Sequence, residues 1–152
     1  MKYKTQMEAA KDGFVTEEMK IVAKKENVSE KYLVEKIAKG EIAIPRNINH
    51  NSISPEGIGT GLRTKINVNL GISKDINDLD LEMEKVDMAL KMGAESIMDL
   101  SNYGKTQEFR ERLIEKSTAM IGTVPMYDAI GFLDKGLSHI KAEEFLEVVR
   151  NH

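Results

Sequence analysis

Three segments of this chain read as short extended runs, and stretches of helical periodicity follow them. They read KINVNLG (65–71), SIMDLS (96–101) and GTVPMYD (122–128). They end in Asn69, Met98 and Tyr127, which lie 29 residues apart each time (98 − 69 and 127 − 98). Strands alternating with helices at about 30 residues per unit are the pattern of parallel βαβ units. A parallel pair needs a crossover long enough to return the chain to the same end of the sheet. In α/β folds, ligands and chemistry gather at the C-terminal ends of such strands. The spacing therefore turns three ordinary residues into one candidate site on an α/β scaffold.

The segments around these runs predict the rest of the architecture. A helix is expected near Asn77 to Met92, with Leu79, Met83, Val86 and Leu90 on one face and Gly93 as its stop. Another is expected over Thr106 to Lys116, where Phe109 and Leu113 share a face. The third run leads into a helix from about Met126 to Asp134. A last helix, Lys141 to Arg150, is expected to bury Ala142, Phe145, Leu146 and Val149. Residues 1–40 look helical: Thr16 caps a first turn carrying Glu17 and Glu18, with Met19, Val22 and Ala23 buried. Ser29 caps a second helix with Leu33, Val34, Ile37 and Ala38 at helical spacing, and Gly40 ends it. Ile42 to Pro45 reads as a short extended piece, and residues 45–64 as a loop rich in Asn, Ser, Pro and Gly. The chain thus divides into a helical segment and loop over 1–60 and a βα part over 61–152. A closed (β/α)8 barrel needs eight units. Three parallel strands also leave an edge that must be covered or completed.

Composition excludes several function classes. With 41% hydrophobic and 31% charged residues in 152, the chain is globular rather than disordered. Its 22 Lys and Arg are interspersed with 25 Asp and Glu for a net charge of −3, which offers no basic stripe to a nucleic acid. No apolar run is long enough to span a membrane. The start, MKYKTQMEAAKDG, lacks the apolar stretch of a signal peptide, so a cytoplasmic location is expected. Cysteine is absent, which excludes a disulfide, a thiol nucleophile and any iron–sulfur cluster ligated by this chain. His50, His139 and His152 have no metal-ligand spacing, and no Ser–His nucleophile arrangement is visible.

Each candidate residue also has a purely structural reading. Asn67 and Asn69, two apart, share one strand face, opposite Ile66, Val68 and Leu70. Two amides on one face need partners, either each other or a polar ring or phosphorylated ligand. Met98 alone would be core packing, and Tyr127 a helix-start residue. Asp99 falls on the face opposite Met98 and reads as a strand-end or capping acid. The segment Gly57 to Arg63 resembles a phosphate-cradling loop, but such a loop follows a strand and opens a helix, whereas this one precedes a strand. Arg63 and Lys65 could still meet an anion there.

MEAAKDG (7–13), IPRNINH (44–50), GIGTGLRTKINVNLG (57–71), MDLS (98–101) and GTVPMYDA (122–129) together resemble the N-terminal part of the phosphomethylpyrimidine synthase family. The resemblance implies an α/β fold made of an N-terminal helical segment and the first three βα units of a (β/α)8 TIM-type barrel. It implies a radical reaction of thiamine biosynthesis in a homodimer, with S-adenosylmethionine, a four-iron four-sulfur cluster and a zinc ion as cofactors. That reaction converts 5-aminoimidazole ribotide to 4-amino-5-hydroxymethyl-2-methylpyrimidine phosphate. Asn69, Met98 and Tyr127 match the family's first three substrate contacts. The cluster's cysteines, the zinc histidines and the later contacts of the family lie beyond His152. This chain alone is therefore expected to be inactive and to hold neither metal. The competing expectations are a short non-catalytic protein that binds a phosphorylated metabolite or a partner chain, and an unrelated barrel enzyme acting on a sugar phosphate.

Overall fold

The computed structural model describes residues 3–152, without the side chains of Phe132 and Leu137. Among the described residues are seven α-helices and five short strands, arranged in two compact units. Of the described residues, one unit comprises 3–49 and 53–65, the other 50–52 and 66–152.

The first unit holds α1 (Gln6–Lys11), α2 (Glu17–Glu26) and α3 (Glu30–Ala38). Hydroxyls begin all three helices: Thr5, Thr16 and Ser29 accept from the N–H of Glu8, Met19 and Tyr32 respectively. Each satisfies a donor that the first turn leaves unpaired. Ala9, Ala10, Met19, Val22, Leu33 and Ile37 form the core of this unit. The expected loop over 45–64 is not wholly irregular. Strand β1 (Ile42–Ala43) pairs antiparallel with β2 (Ile58–Gly59), joining Ile42 to Gly59. A Cβ at Gly59 (φ +146°) would lie 2.1 Å from the carbonyl oxygen of Glu41. Glycine is here because two backbones meet, not because a phosphate does.

The cations of that loop are committed to carboxylates. Lys65 Nζ pairs with Glu26 Oε1, and the Arg63 guanidinium lies 3.5 Å from both Glu26 Oε1 and Glu56 Oε2. The Arg63 backbone N–H donates to Glu26 Oε2 at 3.0 Å, and Lys25 of α2 pairs with Glu56 at 2.6 Å. The anion contact expected for Arg63 and Lys65 is thus made inside the protein. Burial alone would raise the Glu26 carboxyl, but the bonds from Lys65 and Arg63 outweigh it and hold the pKa below its ordinary value. A carboxylate whose pKa falls on folding stabilises the fold above its unfolded pKa, about 4.3, and loses that contribution as pH falls through the folded value. Glu26→Gln should therefore lower the urea midpoint of the first unit at pH 7. The gap to the unsubstituted chain should close as pH falls below about 4. Urea titrations at several pH values, followed by amide signals of α2, check both statements.

The second unit is built on three parallel strands in the order β3 (Asn67–Leu70), β4 (Ser96–Asp99), β5 (Met120–Thr123). Helix α4 (Leu79–Lys91) connects the first pair and α5 (Thr106–Lys116) the second. Asp78 caps α4 through Oδ1, which accepts from the N–H of Asp80 and Leu81. Period-two alternation splits the sheet into two faces. Leu70 and Ile97 join Met83, Val86, Ala89, Phe109 and Leu113 of the helices in one core. His50 belongs to this unit and is buried, its Nε2 bonded to the carbonyl of Ser117 at 2.7 Å. Helix α6 (Pro125–Leu133) follows β5 and packs with α7 (Ala142–Arg150). The expected stripe on α7 is corrected: Val148 is buried and Phe145 half-buried, while Ala142, Leu146 and Val149 are exposed. Periodicity gives the spacing of an apolar face, and several apolar residues on one short helix leave its rotation open.

Candidate functional site

Register brings two of the three candidate residues side by side. Asn69 is the partner of Met98 across β3 and β4, and Met98 is the partner of Gly122 across β4 and β5. One row of the sheet therefore reads Asn69, Met98, Gly122, on the face opposite the helix-packed core. The neighbouring row reads Asn67, Ser96, Met120.

Asn67 and Asn69 are exposed, and Asn67 Nδ2 donates to Asn69 Oδ1 at 2.7 Å. That bond is the mutual pairing expected of two amides on one face. It also has a chemical consequence. It uses one lone pair of Asn69 Oδ1 and none of the Nδ2 donors, so Nδ2 is the donor Asn69 offers to a ligand. Met98 lies over Gly122, where a Cβ would come within 2.1 Å of its Sδ. The glycine leaves room for the thioether to lie along the sheet.

Tyr127 is not on a strand. Strand β5 stops at Thr123, and Tyr127 is the third residue of α6, with its N–H donating to the carbonyl of Val124 at 3.0 Å. Pro125 explains the difference. It offers no N–H to a sheet ladder, and its fixed φ suits the first position of a helix. The extended run GTVPMYD is therefore split into a strand end and a helix start. Tyr127 is 46% exposed, and Met126 and Ile130 of the same helix are exposed with it.

Behind this face lies a buried charged cluster that sequence reasoning did not anticipate. Asp99, at the end of β4, accepts from the N–H of Ser101 through Oδ1 at 2.9 Å, as a strand-end acid should. Its Oδ2 lies 3.5 Å from Nε of Arg110 on α5. Arg110 Nη2 donates to Asp128 Oδ2 at 2.9 Å, and His152 Nε2 lies 3.1 Å from the same oxygen. Burial and the nearby Arg110 charge push the His152 imidazole pKa down, with Asp128 opposing them. The available signal was weak: Arg110 falls one position after Phe109, next to the apolar stripe of α5, where a charged residue is ordinarily turned to water. Just before β4, Glu95 accepts from the N–H of Ile66 at 2.7 Å, and on α4, Glu82 accepts from the N–H of Gly71 at 2.6 Å. Glu82 thereby fastens the turn that follows β3.

The donor set of this chain does not fit an iron–sulfur cluster, because no cysteine thiolate is present. Nor does it fit a zinc centre. Among the described residues no three His, Cys, Asp or Glu side chains converge, and His50 and His152 are bonded to Ser117 and Asp128. Among the described residues no helix is long and apolar enough to cross a membrane.

Comparison with known proteins adds the family. The model of the radical SAM ThiC family matches residues 5–152. The chain is similar to phosphomethylpyrimidine synthase of Alkaliphilus oremlandii (strain OhILAs), with 62% identity over 152 residues. It is 64% identical over the same length to phosphomethylpyrimidine synthase of Clostridium botulinum (strain Hall). In both cases all of this chain is covered, and it spans 35% of the relative's length.

Proposed function

The chain belongs to the radical SAM ThiC family, and on that premise we propose that it forms part of the substrate pocket of a phosphomethylpyrimidine synthase. In this reading the substrate is 5-aminoimidazole ribotide and the product 4-amino-5-hydroxymethyl-2-methylpyrimidine phosphate. The three βα units are the first of a (β/α)8 barrel whose interior is the Asn69–Met98 face. The whole enzyme is a cytoplasmic homodimer. Its S-adenosylmethionine, four-iron four-sulfur cluster and zinc are held by residues outside this chain. Those groups supply the radical chemistry. The residues here bind and orient.

The observation that carries this reading is the row Asn69, Met98, Gly122 on the face away from the packed helices. A donor amide, a polarizable thioether and a glycine form a shallow floor with one directional hydrogen bond and little bulk. Such a floor suits a flat, polar heterocycle that must be held in one orientation. Asn69 Nδ2 donates to an acceptor on the ribotide, Met98 makes a soft apolar contact, and Tyr127 adds a hydroxyl at the rim.

The test is Asn69→Ala in the full-length synthase containing these residues. Loss of one ligand hydrogen bond is worth about 0.5–1.5 kcal/mol, so kcat/KM for the ribotide should fall roughly two- to thirteenfold. Unchanged substrate binding and turnover would overturn the assignment.

A further inference from the structure

Each of two candidate contacts is followed at once by an aspartate: Met98 by Asp99 and Tyr127 by Asp128. Strand alternation turns Asp99 away from Met98, to the helix side of the sheet. Helix rotation turns Asp128 away from Tyr127. Both aspartates are buried, while Tyr127 is 46% exposed. The two carboxylates come from different elements, β4 and α6, and converge on one guanidinium. Arg110 of α5 is itself 2% exposed, with Nε 3.5 Å from Asp99 Oδ2 and Nη2 2.9 Å from Asp128 Oδ2. Its Nη1 reaches the carbonyl of Asn151 at 3.4 Å. His152 is the other charge-bearing group on Asp128, and Ser101 N–H holds the far oxygen of Asp99.

We propose that Arg110 is a positioning residue for the ribotide pocket, fixing Met98 and Tyr127 relative to each other through Asp99 and Asp128. The proposal rests on the reading of Met98 and Tyr127 as substrate contacts. A buried ion triad is a poor device for stability, because apolar residues of similar volume often do as well or better. It is a good device for geometry. The guanidinium is planar, carries its donors in a rigid fork, and cannot escape by losing its proton. A shift at either carboxylate moves the neighbouring backbone, and with it the side chain that faces the ligand. A binding constellation tolerates only about half an ångström of such movement.

The experiment is a pair of double-mutant cycles in the full-length synthase, read as KM and kcat for 5-aminoimidazole ribotide. Asp128→Asn keeps the size of the side chain but replaces the charge-assisted bond to Arg110 with a weaker neutral one, loosening the hold on α6 while the Arg110 charge stays balanced by Asp99. It should raise KM roughly tenfold in the otherwise unsubstituted enzyme. In a Tyr127→Ala background it should change KM by less than about twofold, because the residue it positions is gone. Asp99→Asn paired with Met98→Ala forms the second cycle, with the same expectation, and stands in if Asp128→Asn fails to fold. A merely structural role would instead give KM changes that persist in both backgrounds and follow the loss of folded protein, and that result overturns the proposal. If Tyr127→Ala and Met98→Ala each raise KM while the aspartate variants do not, the site stands and the positioning role falls. If neither alanine variant moves KM, the site reading falls and the proposal falls with it.

Discussion

Phe109→Ala should destabilise the βα unit by about 3–5 kcal/mol, the cost of removing a large aromatic side chain from a packed core. Phe109 is the largest fully buried side chain of the described residues, at 0% exposure, and it belongs to the core of Leu70, Ile72, Met83, Val86, Ile97 and Leu113. Those residues come from β3 and the segment after it, α4, β4 and α5, so the ring lies where the crossovers meet the sheet. Domains are stable by only about 5–15 kcal/mol, so the loss would take a large share of the total. The check is a urea titration followed by amide signals of β3 and β4. The midpoint should fall steeply with little change in slope. A cost under about 1 kcal/mol would mean that the core collapses around the missing ring. Because the ring backs the helix side of the sheet, the opposite face would also lose the register that sets Asn69 beside Met98.

How much of this was legible in the sequence depended on whether the deciding interaction was local. The caps at Thr16 and Ser29 were legible because a hydroxyl and the N–H three residues later belong to the same turn. The apolar stripes of α4 and α5 were legible because helical periodicity is a local pattern, and Met83, Val86, Phe109 and Leu113 are buried as expected. The α/β character followed from the same alternation, and the sheet order β3-β4-β5 bears it out. Non-local partners were hidden. Strand β2 is two residues long and exists because Gly59 meets Ile42 across the intervening loop. The rotation of α7 is set by its packing with α6, which spacing alone does not fix. Within the candidate site, the 29-residue spacing coincides with the pairing of Asn69 with Met98 (98 − 69), but the next pair in that row, Met98 with Gly122, is only 24 apart (122 − 98), because the two crossovers differ in length. Tyr127 lies in the first turn of α6, as its reading as a helix-start residue has it, because Pro125 ends the extended run that the 29-residue interval would have continued. The buried Arg110 was the hardest to see. Its partners lie 11 positions before it and 18 after it in sequence (110 − 99 and 128 − 110). Only the folded arrangement of β4, α5 and α6 shows why a guanidinium sits inside.

Gly131→Ala pits two effects of opposite sign against each other at the edge of the candidate site. Gly131 lies inside α6, where alanine is favoured over glycine by about 1 kcal/mol on helix propensity alone. The packing opposes that gain. A Cβ at this position would lie 1.5 Å from the carbonyl oxygen of Asn102 and 2.4 Å from its carbon. The obstacle is backbone, in the segment after β4, so a rotamer change cannot relieve it. Either α6 or that segment must move by more than an ångström. Overpacking of this kind costs about 1–3 kcal/mol and occasionally more, which outweighs the propensity gain. We expect a lower melting temperature for Gly131→Ala, measured by circular dichroism on the 152-residue chain. Tyr127 stands four residues earlier on the same helix, close to one turn away and on the same face. A helix pushed off its seat at Gly131 carries Tyr127 with it. In the full-length synthase the substitution should therefore also raise KM for the ribotide. A rise in melting temperature would mean that propensity prevails and that α6 does not sit this close to Asn102. A lower melting temperature with KM unchanged would separate the seat of the helix from the pocket, and would remove Tyr127 from the substrate contacts.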